Sequence, residues 1–142
     1  MSHIILQPKG WPRPRGYAHG VLARGTMVFT GGIIGWDEQG VFAGDDIASQ
    51  FERIMINTVA TLAAGGAQPD DIVRMTWYVT SRDAYTAALR EIGDSYRRHI
   101  GRHYPAMAVV QVAALVEPQA LIEIETTAII PDQRTGAAAV PQ

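Results

Sequence analysis

The chain has 142 residues, 47% of them hydrophobic and 18% charged, with a formal net charge of -2 and no cysteine. That length accommodates one compact domain with its own core, and the balance is globular rather than disordered. The acidic balance argues against nucleic acid as a partner, because phosphate recognition needs a basic footprint. Without cysteine there are no disulfides, thiolate nucleophiles or cysteine-based zinc sites. No apolar run approaches the roughly 20 residues that span a bilayer, and the first residues lack a signal-peptide core. A soluble, cytoplasmic protein with no membrane partner is expected.

Residues 1–15, with Pro8, Pro12 and Pro14, predict an irregular lead-in. Val21-Leu22-Ala23-Arg24 and Met27-Val28-Phe29-Thr30 flank Gly25-Thr26 and predict a β-hairpin. Gly31-Gly32 closes it, where a backbone without Cβ atoms can approach a neighbour or a ligand. Residues 33–45, including Trp36, read as a loop or a short third strand. Asp45 or Asp46 caps a helix whose apolar positions, Phe51 through Leu62, recur at spacings of three and four. That helix ends at Gly65-Gly66, with the first glycine in the left-handed C-terminal position.

After a Pro69-Asp70-Asp71 turn, residues 72–80 alternate as a strand. Ser81 caps a second helix, with Tyr85, Ala88, Leu89, Ile92 and Tyr96 as its apolar stripe, ending near His99. The Tyr104-Pro105 step disfavours helix. Two β-branched runs around Glu117-Pro118 then predict two closing strands. In the second, Ile122 and Ile124 share one face while Leu121, Glu123 and Glu125 share the other. Those carboxylates fit either a solvated strand face or acid–base work in a cleft. Residues 131–142 predict a flexible tail.

The order β-β-α-β-α-β-β predicts a mixed sheet with both helices on one face. The other face, expected to carry Met75, Trp77 and Val109, would be left bare and become an oligomer interface. His3, His19, His99 and His103 suggest no metal site. Neither glycine pair sits in a phosphate-binding context, and no GxSxG nucleophile elbow occurs.

Several fragments stand in register: Gly16-Tyr17, Thr30-Gly31, Gln50 with Asn57, and Gly65-Gly66 before Asp70-Asp71-Ile72-Val73. Tyr96 then precedes Tyr104-Pro105-Ala106, and Ile122-Glu123-Ile124-Glu125 precedes Ala128. In this order the chain closely resembles the RidA/YjgF family of reactive-intermediate (enamine/imine) deaminases, over about residues 16–130. The resemblance implies a single α+β domain with a chorismate-mutase-like (bacillus-type) fold, assembled as a homotrimeric barrel with ligand clefts between subunits. It also implies cofactor-free hydrolysis of a small-molecule enamine or imine to a ketone and ammonia. Tyr17 then matches the tyrosine that lines the cleft, Thr30 and Gly31 the pair that contacts substrate, and Glu123 the glutamate that orients the attacking water. Val109 matches a position that lends its backbone to the site.

One departure stands out. Family members active on 2-aminoacrylate carry an arginine two residues after the proline of Pro105, where it grips the substrate carboxylate; this chain has Met107. A thioether offers only a flexible apolar contact, so small 2-imino acids are expected to turn over poorly. Either the acid group is absent or masked, as an ester or thioester in breakdown of an aminated aromatic, or another cation such as Arg13, Arg15, His19 or Arg74 replaces the grip. Imines are already reactive, so positioning and modest acid–base help suffice. Tyr17 can donate a hydrogen bond or simply wall the pocket, and His19 can shuttle protons or be an ordinary loop histidine. The alternative to a deaminase is a non-catalytic trimer that binds a small metabolite or a client protein. Endoribonuclease activity is disfavoured by the lack of a basic stripe.

Overall fold

The computed structural model describes residues 3–135. Its centre is β7 (Ile122–Ile130), nine residues whose even-numbered members from Ile122 to Ala128 are buried. On one edge β7 pairs antiparallel with β5 (Ile72–Val79), and β5 pairs in parallel with β6 (Ala106–Gln111). On its other edge β7 takes β3 (Thr26–Phe29) and the two-residue β4 (Ile33–Ile34). The sheet order is therefore β3-β7-β5-β6, with β4 extending the β3 edge. The parallel β5–β6 step needs a crossover, supplied by α2 (Arg82–Ala87) and α3 (Leu89–His99).

The first helix, α1 (Ile47–Ala64), starts where the extended residue Asp46 accepts the Ser49 N–H at 2.9 Å. Phe51, Ile54, Met55 and Leu62 project from one side into the core, where Phe51 packs on Trp77 at 4.9 Å between ring centroids. The helix ends in paired bonds from Gly66 to Ala63 and from Ala67 to Leu62. That motif puts the second glycine, Gly66, in the left-handed conformation (φ +86), and Gly65 stays at φ -95. Ser81 accepts the Ala84 N–H and caps α2, as expected.

The expected hairpin does not form. Residues Gly20–Leu22 (β2) pair with Ile4–Leu6 (β1) as a separate two-stranded sheet, and β3 pairs with β7. The lead-in thus contributes a strand. Gly25 turns the chain from one sheet to the other with φ +147, so close to β7 that a Cβ there would lie 1.9 Å from the Ile130 carbonyl oxygen. A nine-residue apolar strand offers β3 a longer ladder than the three residues of β2 could. The second helix is also broken, at Ala88 (φ -102, ψ 9), whose N–H turns back to Tyr85. Asp132–Thr135 forms one helical turn, α4; the rest of the expected tail lies outside the described residues.

The largest correction concerns the faces of the sheet. Both main helices do lie on one face, but Met75, Trp77 and Val109 point toward them, and Trp77 is only 3% exposed. The register that pairs Met107 with Met75 and Val109 with Trp77 sends Met107 and Val109 to the helix side too. A register shift between Ile72 and Arg74 leaves Ile72 buried beside Val73, and from Val73 to Val79 the odd-numbered residues are the buried ones. The bare face instead carries Arg74, Thr76, Tyr78, Glu123 and Glu125, with Phe29 and Val110 exposed at its edges. Among the described residues no helix is long and apolar enough to cross a membrane.

Candidate functional site

The sequence-predicted site residues fall into two groups on opposite sides of the sheet. The first group is built on a bulge. Thr30 lies opposite Thr126, its N–H bonded to the Thr126 carbonyl at 2.9 Å, and Ile33 lies opposite Ile124. Two residues, Gly31 and Gly32, therefore stand against the single residue Glu125, a wide departure from the ladder of the kind that re-aims side chains beside active sites. The Thr30 hydroxyl clamps this bulge, donating to the Gly31 carbonyl at 2.8 Å and accepting the Thr126 N–H at 3.0 Å.

Glu123 leans into the space the bulge opens. A Cβ on Gly32 would lie 2.5 Å from its Oε2, so only bare backbone lets the carboxylate rest there. Glu123 is half-buried and makes no side-chain hydrogen bond or ion pair among the described residues. Its neighbour Glu125, on the same face, is exposed and takes a 2.8 Å hydrogen bond from the Tyr78 hydroxyl. That hydrogen bond, with some burial and the nearby carboxylates, raises the Tyr78 pKa. Of the two carboxylates one is engaged and one is left for a ligand or water.

The second group surrounds a cavity of about 470 Å³ on the helix side, between β6 and α3. The Ala18 N–H bonds the Pro105 carbonyl at 2.9 Å, and Ala18 bridges Ala106 in parallel, which sets Tyr17 beside the start of β6. Tyr17, Met107 and Val109 line this cavity together. His19 does not line it: it meets Tyr17 edge-on at 6.0 Å and Trp11 at 5.1 Å, and its Nε2 lies 3.2 Å from the Pro12 carbonyl. Its place is therefore to brace the lead-in. Trp36 packs against Phe42 in the loop after β4, away from both groups.

Of the cations considered in place of the missing arginine, Arg15 lines the cavity with Met107. Arg13 borders a separate hollow beside Tyr17, and Arg74 lies on the opposite sheet face near Thr30 and Glu125. Arg97, which the sequence reading passed over, is also on the cavity wall. The row Leu89-Gly93-Arg97, at intervals of four on α3, was the signal that could have found it.

Several titratable groups elsewhere are committed to structure. His99 and His103 stand four residues apart yet part ways, His99 to Glu52 at 2.8 Å and His103 to the Ile72 carbonyl at 2.6 Å. Among the described residues no three His, Asp or Glu side chains form a metal-like cluster. Asp71, buried, accepts the Gln68 N–H at 2.8 Å and pairs with Arg134.

The architecture is thus an α+β domain with a mixed sheet that carries the candidate carboxylate on its bare face and an apolar cavity on its covered one. The family described as Endoribonuclease L-PSP matches residues 12–130, and the chain belongs to it, as a RidA/YjgF protein. A RutC family protein of Pyrococcus abyssi is 31% identical over 129 residues, covering 90% of this chain and 98% of that protein. The 2-iminobutanoate/2-iminopropanoate deaminase of Salmonella typhimurium is 29% identical over 108 residues, 74% of this chain and 80% of the relative. Among solved structures, the Rid-family protein YyfB from Yersinia pestis superposes with a TM-score of 0.81 at 28% identity, covering 92% of this chain and all of that one. Of these, the Salmonella relative is the one whose name states an activity, deamination of 2-iminobutanoate and 2-iminopropanoate.

Proposed function

We propose that this protein is a cofactor-free deaminase that hydrolyses reactive enamines and imines to a carbonyl compound and ammonia, with a substrate range shifted away from small free 2-imino acids. The observation that carries the reading is Glu123: a half-buried carboxylate that makes no side-chain hydrogen bond or ion pair among the described residues and rests on the bare backbone of Gly32. In an enamine its protonated form delivers a proton to carbon and yields the iminium ion, the protonated imine. As the carboxylate it then takes a proton from water while the oxygen bonds to the C=N carbon. Proton transfer to nitrogen and cleavage of the C–N bond release ammonia and leave the carbonyl.

Within one chain the sheet separates Glu123 from Tyr17 and Met107. The two half-sites come together if the bare sheet face of one subunit packs beside the cavity of the next. A closed homotrimer, as the family resemblance implies, does this three times with one surface. The exposed Phe29, Met27 and Val110 on that face favour such burial. Light scattering should give three times the 15.4 kDa chain mass; a monodisperse monomer would overturn the shared site.

Met107 supports the shifted range. An arginine at its position would offer the charge-assisted fork a 2-imino acid needs, and the thioether does not. The test is ammonia release from a panel of enzymatically generated imines, 2-iminopropanoate among them. Hydrolysis of 2-iminopropanoate at the rate of arginine-bearing relatives would refute the shift, and no ammonia from any imine would refute the deaminase itself.

A further inference from the structure

The cavity that holds Tyr17 and Met107 continues along α3, and its wall is aromatic: Trp77, Tyr85, Tyr96 and Tyr104 all face it. Tyr96 and Tyr104 stack nearly parallel, with centroids 5.6 Å apart and planes at 11°. Trp77 meets Tyr85 edge-on at 6.3 Å and Tyr96 at 6.2 Å. Rings so arranged offer both faces and edges to a further ring. Burial raises the pKa of both Tyr85 and Tyr96, so these phenols stay neutral. The Tyr96 hydroxyl is already given to the His103 carbonyl at 2.5 Å, so that ring contributes its apolar surface.

The charge on the same wall is of one sign. Among the described residues, Arg15 and Arg97 line the cavity and no carboxylate does. Arg15 makes no ion pair among the described residues. Arg97 is steadied by Asp94, and its guanidinium lies over Gly93, where a Cβ would sit 3.4 Å from Nη1. Gly93 itself lines the cavity, so the guanidinium lies along the wall. A volume of about 470 Å³ is in the range of small-molecule sites.

We infer that this cavity binds an aryl- or aralkyl-carboxylate, its ring seated among Trp77, Tyr85, Tyr96 and Tyr104 and its anionic group met by Arg15 and Arg97. For the reaction this rests on the proposed deaminase function; the ligand class rests on the cavity alone. Met107 then has a positive role. A thioether packs well against an aromatic ring, and the acid group of the substrate is displaced along the wall rather than lost.

The test is calorimetric titration of the full chain with 3-phenylpropionate, 3-phenylpropionamide and propionate, ligands that cannot be deaminated as imines. The first should bind, with the other two at least about tenfold weaker, as expected for losing a charge-assisted bond or a ring contact. The double variant Arg15→Gln/Arg97→Gln should bring 3-phenylpropionate down to the level of the amide and leave the amide unchanged. Leu89→Trp, at a half-exposed position on the wall, should weaken both aryl ligands by filling the space. Failure of 3-phenylpropionate to bind, equal binding of propionate, or indifference to both variants would overturn the inference. Ammonia release is followed in parallel on imines with aromatic and aliphatic side chains. Binding as expected with no ammonia from any imine leaves the ligand class standing and removes the deaminase. Hydrolysis of both imine types alike, with no binding of the aryl probe, removes the ligand class and leaves the deaminase.

Discussion

The carboxylate of Glu123 rests against Gly32, where the ladder of β7 with β3 and β4 is interrupted: a methyl on that glycine would come within 2.5 Å of Oε2. Gly32 has no left-handed φ, so alanine fits its backbone. The atom it would strike is the far end of a movable side chain. Gly32→Ala is therefore expected to fold with little loss of stability while pushing the carboxylate aside. Misplacement by about 1 Å can cost on the order of 100-fold in turnover. Thermal melts and ammonia-release kinetics on the same variant separate the two effects; a variant with full activity would mean the resting place of Glu123 does not matter.

Glu123 and Glu125 share a strand face, and only their partners tell them apart. Glu125 is held by Tyr78, and Glu123 makes no side-chain hydrogen bond or ion pair among the described residues. Glu123→Gln should lower kcat by roughly 100- to 10,000-fold, the usual worth of a general acid–base group. Glu125→Gln should leave kcat within a few-fold, since the amide still accepts from the tyrosine. The reverse ranking would transfer the role to Glu125.

Much of the fold was legible because it rests on periodicity. The stripe from Phe51 to Leu62, the Asp46 and Ser81 caps and the alternation of Ile122 and Ile124 are all local signals, and all appear in the structure. What misled was pairing. Gly25-Thr26 looks like a hairpin turn, yet which strand β3 joins depends on a competitor a hundred residues away. The faces of β5 were misread because the alternation of Val73, Met75, Trp77 and Val79 against Arg74, Thr76 and Tyr78 groups the residues of each face without saying which face the helices cover. At the site, Tyr17, Met107 and Val109 come together as one group and Thr30, Gly31 and Glu123 as another. Arg97 was missed because it stands with Arg98 and His99 in the last turn of α3, where basic side chains suit the helix end, and only the Gly93 beneath it shows that its exposed guanidinium borders the cavity.

If the two groups meet between subunits, two inactive variants damaged in different halves should rescue each other. Tyr17→Ala removes the cavity-side ring and Glu123→Gln removes the carboxylate. Refolded together in equal amounts, they should regain activity in about a quarter of the shared sites, those whose two halves are both intact. Mixed protein no more active than its components would place both residues in a site within one chain.

Met107→Arg should restore the grip on a free 2-imino acid. A guanidinium there enters a wall that already holds Arg15 and Arg97, so the melting temperature should fall by a few degrees, in line with about 1 kcal/mol of like-charge cost. Hydrolysis of 2-iminopropanoate should rise about tenfold or more, as one added charge-assisted bond allows. No gain would mean that residue 107 does not reach the acid group of 2-iminopropanoate.

The last expectation concerns acid stability and lies away from the site. Glu52 on α1 meets α3 through the Ser95 hydroxyl, His99 at 2.8 Å and Arg98 at 2.7 Å. Desolvation raises its pKa, but the hydrogen bonds from Ser95, His99 and Arg98 outweigh it and hold the carboxyl at about 2, against an ordinary 4.5. A group held below its unfolded value binds its proton more readily when the chain is unfolded. Its stabilising contribution is complete above pH 4.5 and is lost as the pH falls toward 2. Urea midpoints measured across that window should decline more steeply for the natural chain than for Glu52→Gln. The variant should be the less stable of the two at neutral pH, with the curves converging near pH 2. Parallel curves would show that the ion pairs joining α1 to α3 add nothing beyond packing, the outcome expected of pairs fully screened by water.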